Sequence, residues 1–196
     1  TMFLEVNSRA AVGDLIRGII VQSGNDACIV VAEALGGTEE NFAQMMTERA
    51  HELALDSANF ANSTGWPDPE HRISALDLAR LARHIVTDYP QYYDIYAESE
   101  FTYNGIRQFN RNPLLGVFEG ADGLKTGHTE ESGYGLVASA ERDGERRIVV
   151  FNGMDSNRDR ADESERLMRA AFSEFSTIDL VAAGEVLGRA DIYLGL

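Results

Sequence analysis

The chain has 196 residues, 44% of them hydrophobic and 25% charged, with 17 basic side chains against 32 acidic ones and a net charge of −15. That balance describes a folded globular domain and repels phosphate backbones, so nucleic acid is excluded as a partner. A single cysteine, Cys28, excludes an internal disulfide framework and a multi-cysteine zinc site, and no apolar run is long enough to span a bilayer.

Val12, Leu15, Ile16, Ile19 and Ile20 repeat at helical spacing and predict an amphipathic helix. Ser23-Gly24-Asn25 interrupts it, and Asn25-Asp26 is expected to cap a second helix through Leu35, apolar nearly all round and therefore central. Gly36-Gly37 stops that helix. Thr38 caps a third, whose apolar face is Phe42, Met45, Met46, Ala50 and Leu53. Residues 56–73 form a loop, with Trp66 expected to pack within it. Ser74 and Asp77 then begin a fourth helix that ends before Pro90. Asn104-Gly105 and Asp143-Gly144 each join two alternating runs and predict β-hairpins. The run Ile148–Phe151 is apolar on both faces and is expected to be a central strand. Ser156 caps a last helix carrying Ala161, Ser164, Leu167, Met168, Ala171, Phe172 and Phe175 on one face. From Thr177 the chain turns to short glycine-punctuated strands, read as the start of a small β-rich domain (177–196) after a main domain of 1–176. Helices first, then hairpins, then a closing helix give an α+β domain with an antiparallel sheet. Thr1 is not a Met, the segment TMFLEVNSR lacks the basic and apolar regions of a signal peptide, and the last residues stop within a strand pattern, so a fragment or processed piece is expected.

Two short segments carry chemistry. Ser23-Gly24-Asn25 sets a hydroxyl and a carboxamide two residues apart at a helix junction, where both can face one cleft; a helix cap alone would account for the pair. Lys125-Thr126-Gly127 combines a cation, a hydroxyl donor and a residue without side chain, against which a peptide backbone can lie. A turn-flanked surface lysine would account for that triplet alone. Lys125 is the only lysine, the other 16 basic residues being arginine.

Ser-x-Asn followed by Lys-Thr-Gly about 100 residues later resembles the penicillin-recognising serine enzymes, and the likeness extends through LIRGIIVQSGNDACIVVAEALGG, NFANSTGWPDPEHRISALDLARL, FTYNGIRQFNRNPLL, DGLKTGHT and GYGLVASAERDG. Over about residues 3–176 the chain resembles low-molecular-mass penicillin-binding proteins that are D-alanyl-D-alanine carboxypeptidases. The resemblance implies a β-lactamase/transpeptidase-like fold, an antiparallel sheet flanked by helices with a helical subdomain, here incomplete at the N-terminus. It implies that Ser23 relays a proton to the leaving amine and that Asn25 orients the substrate amide and the catalytic lysine. Lys125, Thr126 and Gly127 would hold the C-terminal end of the substrate, His128 would follow them, Arg160 would lie near the terminal carboxylate, and Arg111 would be an arginine at the substrate cleft. For both arginines an ordinary surface role is the alternative. No cofactor or metal is implied. The implied partners are a peptidoglycan pentapeptide ending in D-Ala-D-Ala and β-lactams as inhibitors. The implied setting is extracytoplasmic and periplasmic, at the inner membrane through an anchor outside this chain.

One departure is plain. The third family signature, Ser-x-x-Lys, carries the acylated serine and its base, and Asp122 stands three residues before the only lysine. The nucleophile is expected on a segment outside these residues, and this chain alone is expected to be inactive. A class A-like β-lactamase is the nearest enzymatic alternative, ranked lower because the loop where it would carry a glutamate has Asn59 and Phe60. A D,D-endopeptidase would use the same residues, and a peptidoglycan-binding remnant is the non-enzymatic alternative. Cys28 is expected to be a small core residue.

Overall fold

A computed structural model describes residues 1–178, 180–182 and 184–188. Helix α1 spans Val12–Ile20 and buries Leu15. Helix α2 spans Asn25–Gly36 and ends at Gly37, whose φ of +78° suits a residue without Cβ. The expected side-chain cap is not made: Gly24 occupies the cap position. Asp26 instead accepts hydrogen bonds from the Met2 and Leu4 backbone amides, at 2.9 and 3.2 Å, and fastens the N-terminal segment to α2. Nor is α2 buried all round. Ala27 and Ala32 are enclosed, but Val30 and Leu35 face outward.

Helix α3, Glu39–Glu52, begins where Thr38 Oγ1 accepts from the Asn41 amide. The following loop is pinched by backbone pairing of Asn59 with Arg72. Helix α4, Ala75–Asp88, is capped by Ser74, and the short α5, Pro90–Tyr93, opens on proline. Strands β1 (Glu100–Tyr103) and β2 (Ile106–Phe109) form the first hairpin, with Asn104 and Gly105 at φ +46° and +77°. Two consecutive positive φ values give the turn that matches strand twist, which explains the Asn-Gly pair.

Strands β3 (Ala121–Thr129), β4 (Gly133–Arg142) and β5 (Glu145–Met154) form an antiparallel sheet in the order β3-β4-β5. Ile148–Phe151 is therefore not central among the described strands; β4 is. Its two-sided apolarity has another cause. Val149 and Phe151 pack, with Phe172, against a cluster that contains Met168, while Ile148 packs, with Ile85 and Val86 of α4, against one that contains Ala82. Both faces are covered by helices, so both sets of alternate side chains are apolar.

Met168 and Phe172 belong to α6, Asn157–Ser173, which Ser156 caps through the Asp159 amide. Phe175 lies past its end and is exposed rather than on the packed face. The strand expected near residue 196 lies outside the described residues, and those described after Thr177 form no strand. The packing sets the α1–α2 junction beside β3, and the two chemistry-bearing segments meet there.

Candidate active site

Local structure fixes Ser23 before any ligand arrives. The Val21 amide donates to the Arg17 carbonyl and the Gly24 amide to that of Gly18, which closes α1 and leaves Ser23 at φ +53°. A non-glycine residue in this region costs about 1–2 kcal/mol and persists only when its surroundings enforce it. Gln22, 1% exposed, supplies part of that enforcement by donating from its side-chain amide to the Phe101 carbonyl at 3.1 Å.

Lys125 approaches from β3. Its Nζ donates to Ser23 Oγ at 2.8 Å and to the Thr126 carbonyl at 3.0 Å. Burial strips hydration from the ammonium, the nearby Arg111 and Arg160 add like charge, and together they lower its pKa to about 8. At neutral pH it is still mostly protonated.

Arg160 projects from the first turn of α6 and is 6% exposed. It donates to Asn157 Oδ1 at 2.7 Å and makes long contacts of 3.5 Å to the Gly127 and Arg111 carbonyls. Its guanidinium lies 5.6 Å from the Tyr134 ring centre, and its Nε has no partner among the described residues. Arg111 reaches the Gln22 carbonyl at 3.5 Å. Among the described residues no carboxylate pairs with Lys125, Arg111 or Arg160. Three cations thus converge in a chain of net charge −15 and are left for an anion to satisfy.

These groups line a cleft of about 820 Å³ that holds all eight sequence-predicted residues: Ser23, Asn25, Arg111, Lys125, Thr126, Gly127, His128 and Arg160. Gly127 faces open space, since a Cβ there would meet nothing within 4 Å. Its partner across the sheet, Gly135, is the opposite case, with a Cβ position 1.8 Å from Asn152 Oδ1. His128 is exposed and stacks on Tyr134 with ring centres 3.8 Å apart.

Two expectations fail here. Cys28 is half-buried and lines the cleft rather than the core, because it lies one helical turn after Asn25 on the same face of α2. Trp66 is not packed into its loop. It is 62% exposed at the cleft rim, beside Ser63, Thr64, Gly65 and Pro67. Tyr134 and Asn157 were not anticipated. The register His128↔Tyr134 and the one-turn spacing from Arg160 bring them in, and the hairpin pattern was the only sequence signal for the first.

Residues 1–156 match the family profile described as D-alanyl-D-alanine carboxypeptidase, Peptidase S11. The D-alanyl-D-alanine carboxypeptidase DacA of Haemophilus influenzae is 40% identical over 196 residues, covering 99% of this chain and 50% of the relative. DacD of Escherichia coli is 41% identical, with the same two coverages. The crystal structure of penicillin binding protein 6B from Escherichia coli superposes with a TM-score of 0.87 at 41% identity, covering 94% of this chain and 58% of that one. The chain spans about half the length of the relatives it matches.

Proposed function

The chain belongs to the D-alanyl-D-alanine carboxypeptidase family of serine peptidases, and from that premise we propose that it forms the carboxylate-binding and proton-relay part of an enzyme that removes the terminal D-alanine from peptidoglycan pentapeptides. The observation that carries this reading is the 2.8 Å contact from Lys125 to Ser23 beside two arginines that meet no carboxylate among the described residues. A terminal carboxylate placed against Thr126, Arg160 and Arg111 satisfies cations that the chain leaves uncompensated. The substrate backbone lies along β3 at Gly127, where nothing obstructs it, and Asn25 orients the scissile amide. Ser23 Oγ, hydrogen-bonded to the Lys125 ammonium, is set to hand a proton to the departing amine. His128 borders the same strand.

The acylated serine and its lysine base belong to a Ser-x-x-Lys segment outside these 196 residues. β-Lactams enter the same cleft, their carboxylate replacing that of the peptide. The reaction is extracytoplasmic, at the cell wall. Among the described residues no helix is long and apolar enough to cross a membrane, so attachment to the inner membrane would use a segment outside them.

The test uses the full-length protein. Labelled penicillin is expected to acylate a serine outside residues 1–196, and an acyl-D-Ala-D-Ala peptide is expected to lose D-alanine. The 196-residue chain alone is expected to form no adduct. Absence of both reactions in the full-length protein overturns the reading, and an adduct mapped to Ser23 overturns its assignment as relay.

A further inference from the structure

The first turn of α6 is built against its own electrostatics. A helix N-terminus carries partial positive charge from its free amides, and acidic side chains are favoured there. Asp159 meets that preference and accepts from the Ser156 hydroxyl at 2.7 Å. Asn157, the first residue of the helix, does not, although a second positive charge stands beside it: its Oδ1 accepts from Arg160 Nη2 at 2.7 Å. Residues three apart on a helix are neighbours, so an acid at position 157 would pair with Arg160 and complement the helix end at once. Asn157 is exposed, and burial therefore does not demand a neutral side chain there.

What that amide does instead is turn the guanidinium. The other described contacts of Arg160 are loose: the Gly127 and Arg111 carbonyls lie at 3.5 Å, the Tyr134 ring centre lies at 5.6 Å, and Nε has no partner among the described residues. The bond to Asn157 is the one short tie that fixes which way the fork faces. The carboxylates nearest in sequence are engaged elsewhere, Asp159 with Ser156 and Glu163 with Arg166 at 2.6 Å. A buried cation is thus oriented by a neutral acceptor and keeps its whole charge, in a cleft whose wall includes Asn157 itself. Such a cation costs stability until an anion arrives.

We propose that Asn157 is a positioning residue that sets the preference for a free C-terminal carboxylate, because its side-chain oxygen aims Arg160 without neutralising it. A carboxylate at the same place would hold the guanidinium equally well but would occupy the charge that the substrate has to find, and every ligand would then compete with an anion built into the chain. An apolar side chain would leave the charge free and release the aim. A neutral acceptor one helical turn before the arginine supplies both, at the expense of the helix-end stability an acid would have given.

This rests on the carboxypeptidase reading, and the experiment separates the two. The full-length protein is given an acyl-D-Ala-D-Ala peptide and the same peptide with its C-terminus as the carboxamide, and kcat, KM and the thermal midpoint are measured. Asn157→Asp is expected to lower the ratio of kcat/KM, free acid over amide, about tenfold and through KM, with the midpoint at or above that of the parent. Asn157→Ala is expected to lower the ratio about threefold, and Asn157→Gln to keep more of it than alanine does. A ratio unmoved in Asn157→Asp, or an equal loss on both peptides with a lowered midpoint, overturns the proposal and leaves the carboxypeptidase reading intact. So does a parent enzyme that treats the two peptides alike. Failure of the parent to release the last residue from either peptide overturns both.

Discussion

Strand β3 meets the same kind of charge at its start and at its middle and treats it in opposite ways. Near its start, Arg146 of β5 donates to Asp122 at 2.8 Å and to Ser139 at 2.6 Å, and pairs with Glu141. Tyr93 completes the set by donating to Asp122 at 2.9 Å, with the guanidinium 5.0 Å from its ring centre. Three to five residues further on, Lys125, Arg111 and Arg160 come together with hydroxyl, amide and carbonyl partners and, among the described residues, no carboxylate. A compensated cation knits a fold together; uncompensated ones cost stability unless a ligand supplies the missing charge. The first cluster therefore reads as structural and the second as a binding site, although one strand serves both.

The comparison breaks most readily at Lys125. In the full-length protein, Lys125→Met is expected to lower penicillin acylation by roughly 10²–10⁴-fold, with the thermal midpoint unchanged or raised because a buried cation is removed. Kinetics paired with thermal unfolding check it, and a large fall in midpoint would mean that the cleft cluster also supports the fold. Asp122→Asn is expected to do the reverse, costing about 2 kcal/mol by depriving Arg146 of its carboxylate. Acylation below the transition is expected to stay near the parent rate.

Two glycines on the same strand sharpen the contrast. A Cβ at Gly123 would stand 2.6 Å from the Tyr93 hydroxyl, whereas one at Gly127 meets nothing. Gly123→Ala is expected to cost about 1–3 kcal/mol through overpacking. Gly127→Val should leave the midpoint nearly unmoved while weakening β-lactam binding, because its branches occupy the space where a ligand backbone lies. Equal melting of the two variants would remove the distinction.

The smallest effect is on titration. Lys125 is the only lysine in the 196 residues, so selective labelling of lysine Nζ for NMR reports one group. Its pKa is expected at about 8. Arg111→Gln should raise it, because removing a neighbouring positive charge favours the protonated form. The ammonium that grips an anion is lost as pH rises through that value, so carboxylate affinity should fall above about pH 8. A lysine that titrates near its ordinary value would show that the cleft does not crowd its cations.

Much of this was legible in the residues themselves. Asn104-Gly105 and Asp143-Gly144 announced their turns because only a few residue types tolerate positive φ, and Thr38, Ser74 and Ser156 announced helix starts because each offers an oxygen to the amide three residues on. Ser23 and Lys125 were found through paired motifs, and Arg160 only through family resemblance, since an arginine in the first turn of a helix carries no signal of its own. Trp66 was misread because an aromatic ring between prolines packs inward in most loops, and the bracing by Asn62, which hydrogen-bonds the Trp66 amide and carbonyl and turns it outward, depends on three-dimensional closure. Asn25 was misread as a cap because Gly24, lacking a side chain, can open the helix one residue earlier. The apolar run of β5 reported burial faithfully but not strand order, which depends on what covers each face.

The bend at Ser23 has a consequence for which sequences the fold permits. At φ +53° a glycine would rest without strain, so Ser23→Gly removes a conformational cost while deleting the hydroxyl that meets Lys125. A sturdier version of this junction is thus one substitution away, and selection for durability alone would find it. The serine is tolerated there as a standing liability, kept because the hydroxyl is worth more at that point in space than the rigidity forgone.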